Sequence, residues 1–483
     1  LTRPEQQMEL MHKSGPPTIP MADIRDFICR GEFGVENDLA KEKGTKSYDY
    51  KLSDAIRNNA ERIDQALEEI KICDPAIGSG AFPVGMLHEI VRARETLTTY
   101  LPDKHQRTAY DFKRHAIQES IYGVDIDNGA VDIAKLRLWL SLVVDEDDFR
   151  SIKPLPNLDY KIVSGNSLLG IPGNALIDDE ISRELEREKA RYFFAANQSQ
   201  KSEIRATIER LFAELLNHLK KYLSAVEGVS FDFHTHFSEV FHKNRGFDII
   251  IANPPYVRQE DIADPQNKIK DKKEYKACLQ EMARLDFPEE FPAKKKIDAK
   301  SDLYTYFYIR ALRLLNPRGI HTFICSNSWL DVGYGVWLQE FLLNRCPVEF
   351  IIDNHAKRSF EAADVNTIIS IIHAPRKKVD PQHPVKFVAF KKPFEEAVYT
   401  ENLLAIEDAD KIISNKTFRV YPVTVKELKE TGTEYESEEK KKLGAGKYEG
   451  DKWGGKYLRA PDIFFTILEK GKEYIDAFDN YFI

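Results

Sequence analysis

The chain has 483 residues, 42% of them hydrophobic, and carries 70 Lys and Arg against 78 Asp and Glu for a formal net charge of -8. That is ample apolar material for a packed core in two or three domains, but the wrong sign for a simple nucleic-acid coat, so a polyanion has to be met by local basic patches. Five widely spaced cysteines (Cys29, Cys73, Cys278, Cys325, Cys346) without a CxxC exclude a zinc ribbon or disulfide scaffold, and no metal site is expected. No run reaches the roughly 18 apolar residues of a membrane span, so a soluble, cytoplasmic protein is expected.

Residues 1–69 read as a polar helical region, with a helix over Met21 to Cys29 and an apolar seam at Ile56, Ile63, Leu67 and, just beyond, Ile70. Ile70 to Phe82 then reads as a short strand, an acidic tip at Asp74, a turn bounded by Gly78 and Gly80, and a helix from Pro83 to Arg94. Glycines there let the backbone turn sharply and let a ligand reach main-chain amides at a helix N-terminus. Asp74 would repel a phosphate and attract a cationic amino group, so the loop favours a nucleoside bearing an amino acid over a dinucleotide. Ile121 to Asp127 repeats the pattern of strand then acid before a helix from Ala130 to Leu142. An acid at that tip is the usual acceptor for ribose hydroxyls; Asp125 ends the strand and is favoured, while Asp127 reads alternatively as the helix N-cap. A third strand, Tyr160 to Val163, leaves through Gly165-Asn166-Ser167-Leu168, a polar exit placed to touch an adenine edge.

Residues 177–228 form a charged helical insertion with apolar positions at Ile204, Ile208, Leu211, Leu215, Leu219 and Leu223, read as a structural or partner-facing arm. Phe247 to Tyr256 (FDIIIANPPY) is a buried strand stopped by Asn253-Pro254-Pro255. Two prolines stiffen the loop, so the Asn253 side-chain oxygen and the Pro254 carbonyl become two fixed acceptors at the C-terminal edge of the sheet, with the flat face of Tyr256 beside them. Two fixed acceptors suit a planar NH₂ group: bonding both hydrogens turns the nitrogen lone pair out of conjugation and toward an electrophile.

Val257 to Lys300 reads as a long, Lys-rich mobile loop, and further basic patches lie at Arg376-Lys377-Lys378, Lys391-Lys392 and Lys440 to Lys442. Asp302 to Leu315 is an expected helix, Arg318-Gly319 a turn and Ile320 to Cys325 a strand, after which Ser326 to Leu330 caps another helix. Two more strands, Glu349 to Asp353 and Thr367 to Ala374, flank a loop with Lys357, Arg358, Ser359 and Phe360, where the aromatic by itself reads as core. Residues 396–483 read as a linker and the start of a further region at Trp453, with both chain ends looking cut.

In order, DPAIGSGAF, GVDID, GNSLL, DIIIANPPY and DLYTYF through SNSWL resemble the motifs of gamma-class adenine-N6 DNA methyltransferases, above all the methylase part of type IIG restriction-modification and related phage-defence enzymes. The resemblance covers roughly residues 70–375. It implies an α/β fold with a Rossmann-like, seven-stranded, mostly parallel sheet over residues 70–395, with S-adenosyl-L-methionine along the strand tips of its first half. It implies Asp74 and the Gly78–Gly80 loop at the methionine part, Asp125 at the ribose, Asn166 at the cofactor adenine and Phe307 on its ring, with Ala76, Ile126 and Ser167 in the same cofactor-binding set. Asn253, Pro254, Pro255 and Tyr256 become the catalytic corner, and Phe360 stacks on the extruded adenine opposite Tyr256. Asn166 departs from the Asp of many relatives, although an amide oxygen still accepts from the cofactor amine. The Trp453 region then resembles the start of a target-recognition domain. Double-stranded DNA is the implied partner, and a nuclease or specificity module is allowed for only in sequence beyond these residues. Two other readings share features of this sequence: methylation of a protein glutamine amide, which small enzymes lacking the long segment after NPPY perform, and a DNA-specificity subunit with an inactive site.

Overall fold

Short β-branched runs that end in an acid or an amide build the first part of the sheet. A computed structural model describes residues 19–42, 44, 50–102, 106–144, 157–170, 179–195, 197–220, 231–292, 297–356, 366–435 and 446–471. Phe360 therefore lies outside the described residues, as do Leu223, Lys294–Lys296, Lys357–Ser359 and Lys440–Lys442. The chain divides into two units, Leu1–Ile297 with Asp302–Thr322, and Asp298–Ser301 with Phe323–Ile483.

In the first unit, strands β1 (Ile72–Asp74), β2 (Ile121–Asp125), β3 (Ile162–Ser164) and β4 (Phe247–Ala252) are ordered β3-β2-β1-β4, followed by β5 (Leu315–Ser326). The pairs β1–β2, β1–β4 and β2–β3 are all parallel. Parallel neighbours need crossovers. Helices α3 (Ala81–Thr98) and α5 (Asn128–Val143) supply two of them, each starting a few residues after a strand tip. Ile72, Ile77, Leu87, Ile90, Ile121, Val131, Ala134, Leu138 and Ile162 form the core beneath the tips. Helices α1 (Met21–Glu42) and α2 (Ala60–Glu69) pack Phe27, Ile63 and Leu67, together with Ile56 from the turn between them, against Leu97 of α3, and buried Arg94 meets both oxygens of Asp64 at 2.9 and 3.1 Å. Helix α4 (Ala109–His115) leads into β2 through residues 116–120.

The insertion is a pair of helices, α6 (Asp179–Phe194) and α7 (Gln198–Lys220), joined by Leu185, Tyr192, Ile204, Ile208, Leu211 and Leu215. It is fastened to the unit instead of projecting from it. Lys189 donates to Glu239 Oε2 at 2.7 Å and to the His236 carbonyl at 2.6 Å, Arg205 and Tyr192 both donate to Asp159, and Phe212 stacks on His236 at 4.3 Å. Glu239 lies in α8 (Ser238–Asn244); the Lys189 and Lys161 charges around it hold its carboxyl down to about 2 against the effect of burial.

The segment expected as a loop after Tyr256 contains helix α9 (Lys272–Asp286), which buries Tyr275, Leu279, Met282 and Ala283 on one face. Helix α10 (Leu303–Leu314) follows, and its Arg310 lies buried between Asp286 and Asp232 at 3.0 and 3.4 Å. The expected turn at Arg318-Gly319 falls inside β5, where Asn316 Oδ1 accepts from the Arg318 amide at 2.9 Å.

In the second unit the order continues from the end of β5 as β5-β7-β6-β8-β10-β9, with β6 (Val348–Asn354), β7 (Thr367–His373), β8 (Pro384–Phe390), β9 (Ile413–Ser414) and β10 (Phe418–Thr424). β6 runs antiparallel to β7 and parallel to β8, and β10 runs antiparallel to β8. The sheet thus has ten strands among the described residues and not seven, and beyond β8 it continues through β9 and β10 into residues expected as a linker. Two turns of 3-10 helix, Ser328–Leu330 and Gly333–Gly335, precede α11 (Val336–Arg345) in place of a simple cap. Trp453 is fully buried against Trp329 and Phe387, each with ring centres 5.8 Å away. No helix of the described residues is long and apolar enough to cross a membrane.

Candidate active site

Register decides which strand tips share an edge. Asp74 pairs with Gly123, Cys73 with Ile250, and Asp125 with Ser164, so the Gly165-Asn166 exit, Asp125, Asp74 and the Ala252-Asn253 corner follow one another along the C-terminal edge of four parallel strands. That is where open α/β sheets bind ligands.

The loop after β1 folds over β2. The Ile77 amide donates to the Val124 carbonyl at 2.9 Å, and the Gly78 amide donates to Asp125 Oδ2 at 2.8 Å. Gly78 and Gly80 have φ of 51° and 79°, which an L side chain rarely adopts, and Gly80 is the residue from which α3 starts. A Cβ at Gly78 would meet nothing closer than the Ala76 carbonyl at 4.0 Å, so the turn has open space in front of it. Gly123 has a different purpose. A Cβ there would lie 2.2 Å from Ile77 Cδ1, so this strand glycine lets the loop lie flat on β2.

Asp74 is 1% exposed and accepts from the Ala76 amide at 2.9 Å. Burial pushes its carboxyl up to about 8, opposed by the Ala76 amide and reinforced by the charge of Asp125. A buried acid held in its neutral form is primed to ionise when a cation arrives beside it. Asp125 ends β2, with its second oxygen accepting from the Asp127 amide at 3.0 Å, while Asp127 caps α5 through Gly129 at 2.8 Å; the two acids are thereby separated into strand tip and helix cap. Ser167 donates to the Pro75 carbonyl at 2.6 Å, tying the exit of β3 to that of β1. Ala76 and Ile126 sit half-buried in the two loops.

Asn166 is held from two sides: its Oδ1 accepts from the Leu168 amide and its Nδ2 donates to the Tyr275 hydroxyl, both at 3.0 Å. Tyr275 lies on α9, outside the residues expected at the site, and its signal in the sequence is the recurrence of Tyr275, Leu279, Met282 and Ala283 at helical spacing.

At the tip of β4, Pro254 is buried and Pro255 exposed, and the Tyr256 hydroxyl donates to Asn253 Oδ1 at 2.6 Å. The ring expected to stack on a base thus also touches the oxygen expected to hold its amine. A carboxamide oxygen has a second lone pair for that amine. The chain leaving the corner is pinned to α10, where the Leu303 amide donates to the Val257 carbonyl and Asp302 Oδ1 accepts from the Gln259 amide, both at 3.0 Å. Phe307 is buried one turn further along α10.

These residues suit S-adenosyl-L-methionine: a buried acid for the amino group, amides and open space at the Gly78 turn, a strand-tip carboxylate for ribose hydroxyls, and amide groups at the third tip for an adenine edge. An acid-tipped parallel sheet with an Asn-Pro-Pro-Tyr corner defines a methyltransferase-type α/β fold. The chain belongs to the Eco57I restriction-modification methylase family, whose profile matches residues 119–360, about half of it. It is 25% identical over 433 residues to a type II restriction enzyme and methyltransferase of Methanocaldococcus jannaschii, covering 74% of this chain and 34% of that protein. It is 30% identical over 173 residues to the type II methyltransferase M.BstVI of Geobacillus stearothermophilus, covering 35% of this chain and 25% of that protein. The adenine-specific methyltransferase BrxX of Escherichia coli is 22% identical over 315 residues, covering 57% and 23%. The chain therefore spans about a third or less of the length of these curated relatives. Among solved structures, the M protein of the type I restriction enzyme EcoKI matches at 13% identity and a TM-score of 0.36, over 91% of this chain and 78% of that one.

Proposed function

We propose that this chain transfers the methyl group of S-adenosyl-L-methionine to the N6 amine of an adenine flipped out of DNA, as the cytoplasmic modification activity of a restriction or phage-defence system. The observation that carries this reading is the shared edge: Asn253 at the tip of β4 lies beside β1, whose tip holds Asp74 and the Gly78 turn. Family membership and the adenine specificity of BrxX support DNA adenine over a protein glutamine.

When bound, S-adenosyl-L-methionine supplies an electrophilic methyl group on a sulfonium. Asn253 Oδ1 and the Pro254 carbonyl accept the two amine hydrogens and turn the nitrogen lone pair out of the ring plane. Positioning of this kind contributes up to about 7 to 11 kcal/mol in ideal cases. No strong base is required, because the nitrogen becomes cationic before its proton leaves along one of these two bonds. Flipping the base costs a few kcal/mol, which stacking on Tyr256 offsets.

Incubation with S-adenosyl-L-methionine labelled in its methyl group separates the readings. Label in DNA, recovered as N6-methyladenine by mass spectrometry, is expected. Label recovered only in protein glutamine, or none at all with cofactor bound, refutes the proposal.

A further inference from the structure

The segment after the corner is built, not loose. Asp264 is 5% exposed and accepts three backbone amides, from Gln266 at 3.0 Å, Lys268 at 2.8 Å and Ile269 at 2.9 Å. One carboxylate thus folds the loop around itself, with Asn267 in the left-handed region at φ 56°. Its near end is fixed to α10 through Gln259 and Asp302, and its far end to the exit of β3 through Tyr275 and Asn166.

From this frame Lys268, Lys270, Lys272 and Lys273 all emerge exposed. Lys272 and Lys273 are the first two residues of α9, directly after its N-cap, Asp271. Cations at a helix N-terminus oppose the helix dipole and cost a few tenths of a kcal/mol or more each, so local stability does not explain them. The same end of a helix attracts phosphate through its dipole. From Lys268 to Lys276 there are five lysines against two acids, Asp271 and Glu274, in a chain of net charge -8. Asp271 is engaged with the Lys273 and Glu274 amides at 2.6 and 3.0 Å, and the Lys272 ammonium donates to the Glu260 carbonyl at 3.0 Å.

We propose that Lys268, Lys270 and Lys273, on the loop organised by Asp264 and the start of α9, grip DNA backbone phosphates flanking the flipped adenine. This rests on the methylase reading and names the surface that presents the duplex to it. The contact is independent of base sequence and fixes register.

The test is binding of a 30-base-pair duplex of arbitrary sequence, by fluorescence anisotropy from 50 to 200 mM KCl, to the full chain and to the triple variant Lys268→Gln, Lys270→Gln, Lys273→Gln. Each lost phosphate contact lowers the slope of log K against log salt by about 0.9, so the variant's slope is expected to be shallower by about 2.7, a roughly 40-fold smaller loss of affinity across that range. Lys270→Gln alone is expected to lower it by about 0.9, and cofactor affinity and thermal melting stay as in the parent. Equal slopes for parent and variant, or no duplex binding by the parent, overturn the proposal. Failure of the methylase reading shows separately, as binding with the predicted slopes but no methyl transfer to DNA.

Discussion

Asp74 makes stability depend on pH in a way that can be counted, and, on the proposed function, cofactor binding with it. Its carboxyl has an ordinary value of 3.8 and stands at about 8 in the fold, chiefly through burial. The folded chain keeps a proton that the unfolded chain releases over that interval. The contribution of Asp74 to stability is therefore fully present below about pH 4 and is lost as pH rises through about 8. At 1.36 kcal/mol per unit, the loss approaches roughly 6 kcal/mol. A cationic amino group beside Asp74 favours the ionised form, so binding S-adenosyl-L-methionine at pH 6.5 is expected to release close to one proton. Titration calorimetry in buffers of different ionisation enthalpy measures that number, and Asp74→Asn is expected to abolish the release, weaken binding and raise the melting temperature at pH 8. No proton release by the parent, or the same release by the Asn variant, refutes the assignment of Asp74 to the amino group.

Tyr256→Phe keeps the ring and removes the 2.6 Å bond to Asn253, so it is expected to lower the single-turnover rate about fivefold to tenfold with little change in DNA affinity, whereas Tyr256→Ala weakens DNA binding as well. Gly123→Ala drives a methyl into Ile77, with an expected stability cost of about 1 to 3 kcal/mol by urea denaturation and weaker cofactor binding as the loop lifts off β2. Arg310→Met leaves Asp286 and Asp232 buried without their shared cation and is expected to cost about 3 to 5 kcal/mol, read from the shift in urea midpoint.

The strand tips were legible because each is a short apolar run closed by a residue no buried strand tolerates inside it: Asp74, Asp125 and Asn253. Asp127 was ambiguous from sequence, and only the bond to the Gly129 amide separates cap from tip. Helix α9 was missed because its exposed lysines dominate the composition of the segment, while the buried face of Tyr275, Leu279 and Met282 occupies few positions. Strands β8 and β10 escaped notice for another reason. Pro384 opens one and Pro422 interrupts the other, and prolines read as strand breakers until the partner strands are known. The lysine pair around Glu239 joins positions 161, 189 and 239, and nothing local signals such a cluster.

The central claim is that the corner at Asn253 grips an exocyclic nitrogen and presents it to the cofactor. Its most direct measurement is single-turnover methylation of DNA by the parent and by Asn253→Ala, with S-adenosyl-L-methionine affinity measured on both. The account predicts unchanged cofactor affinity and a rate of N6-methyladenine formation lower by a factor on the order of 10² to 10³. Equal rates in the two proteins contradict it.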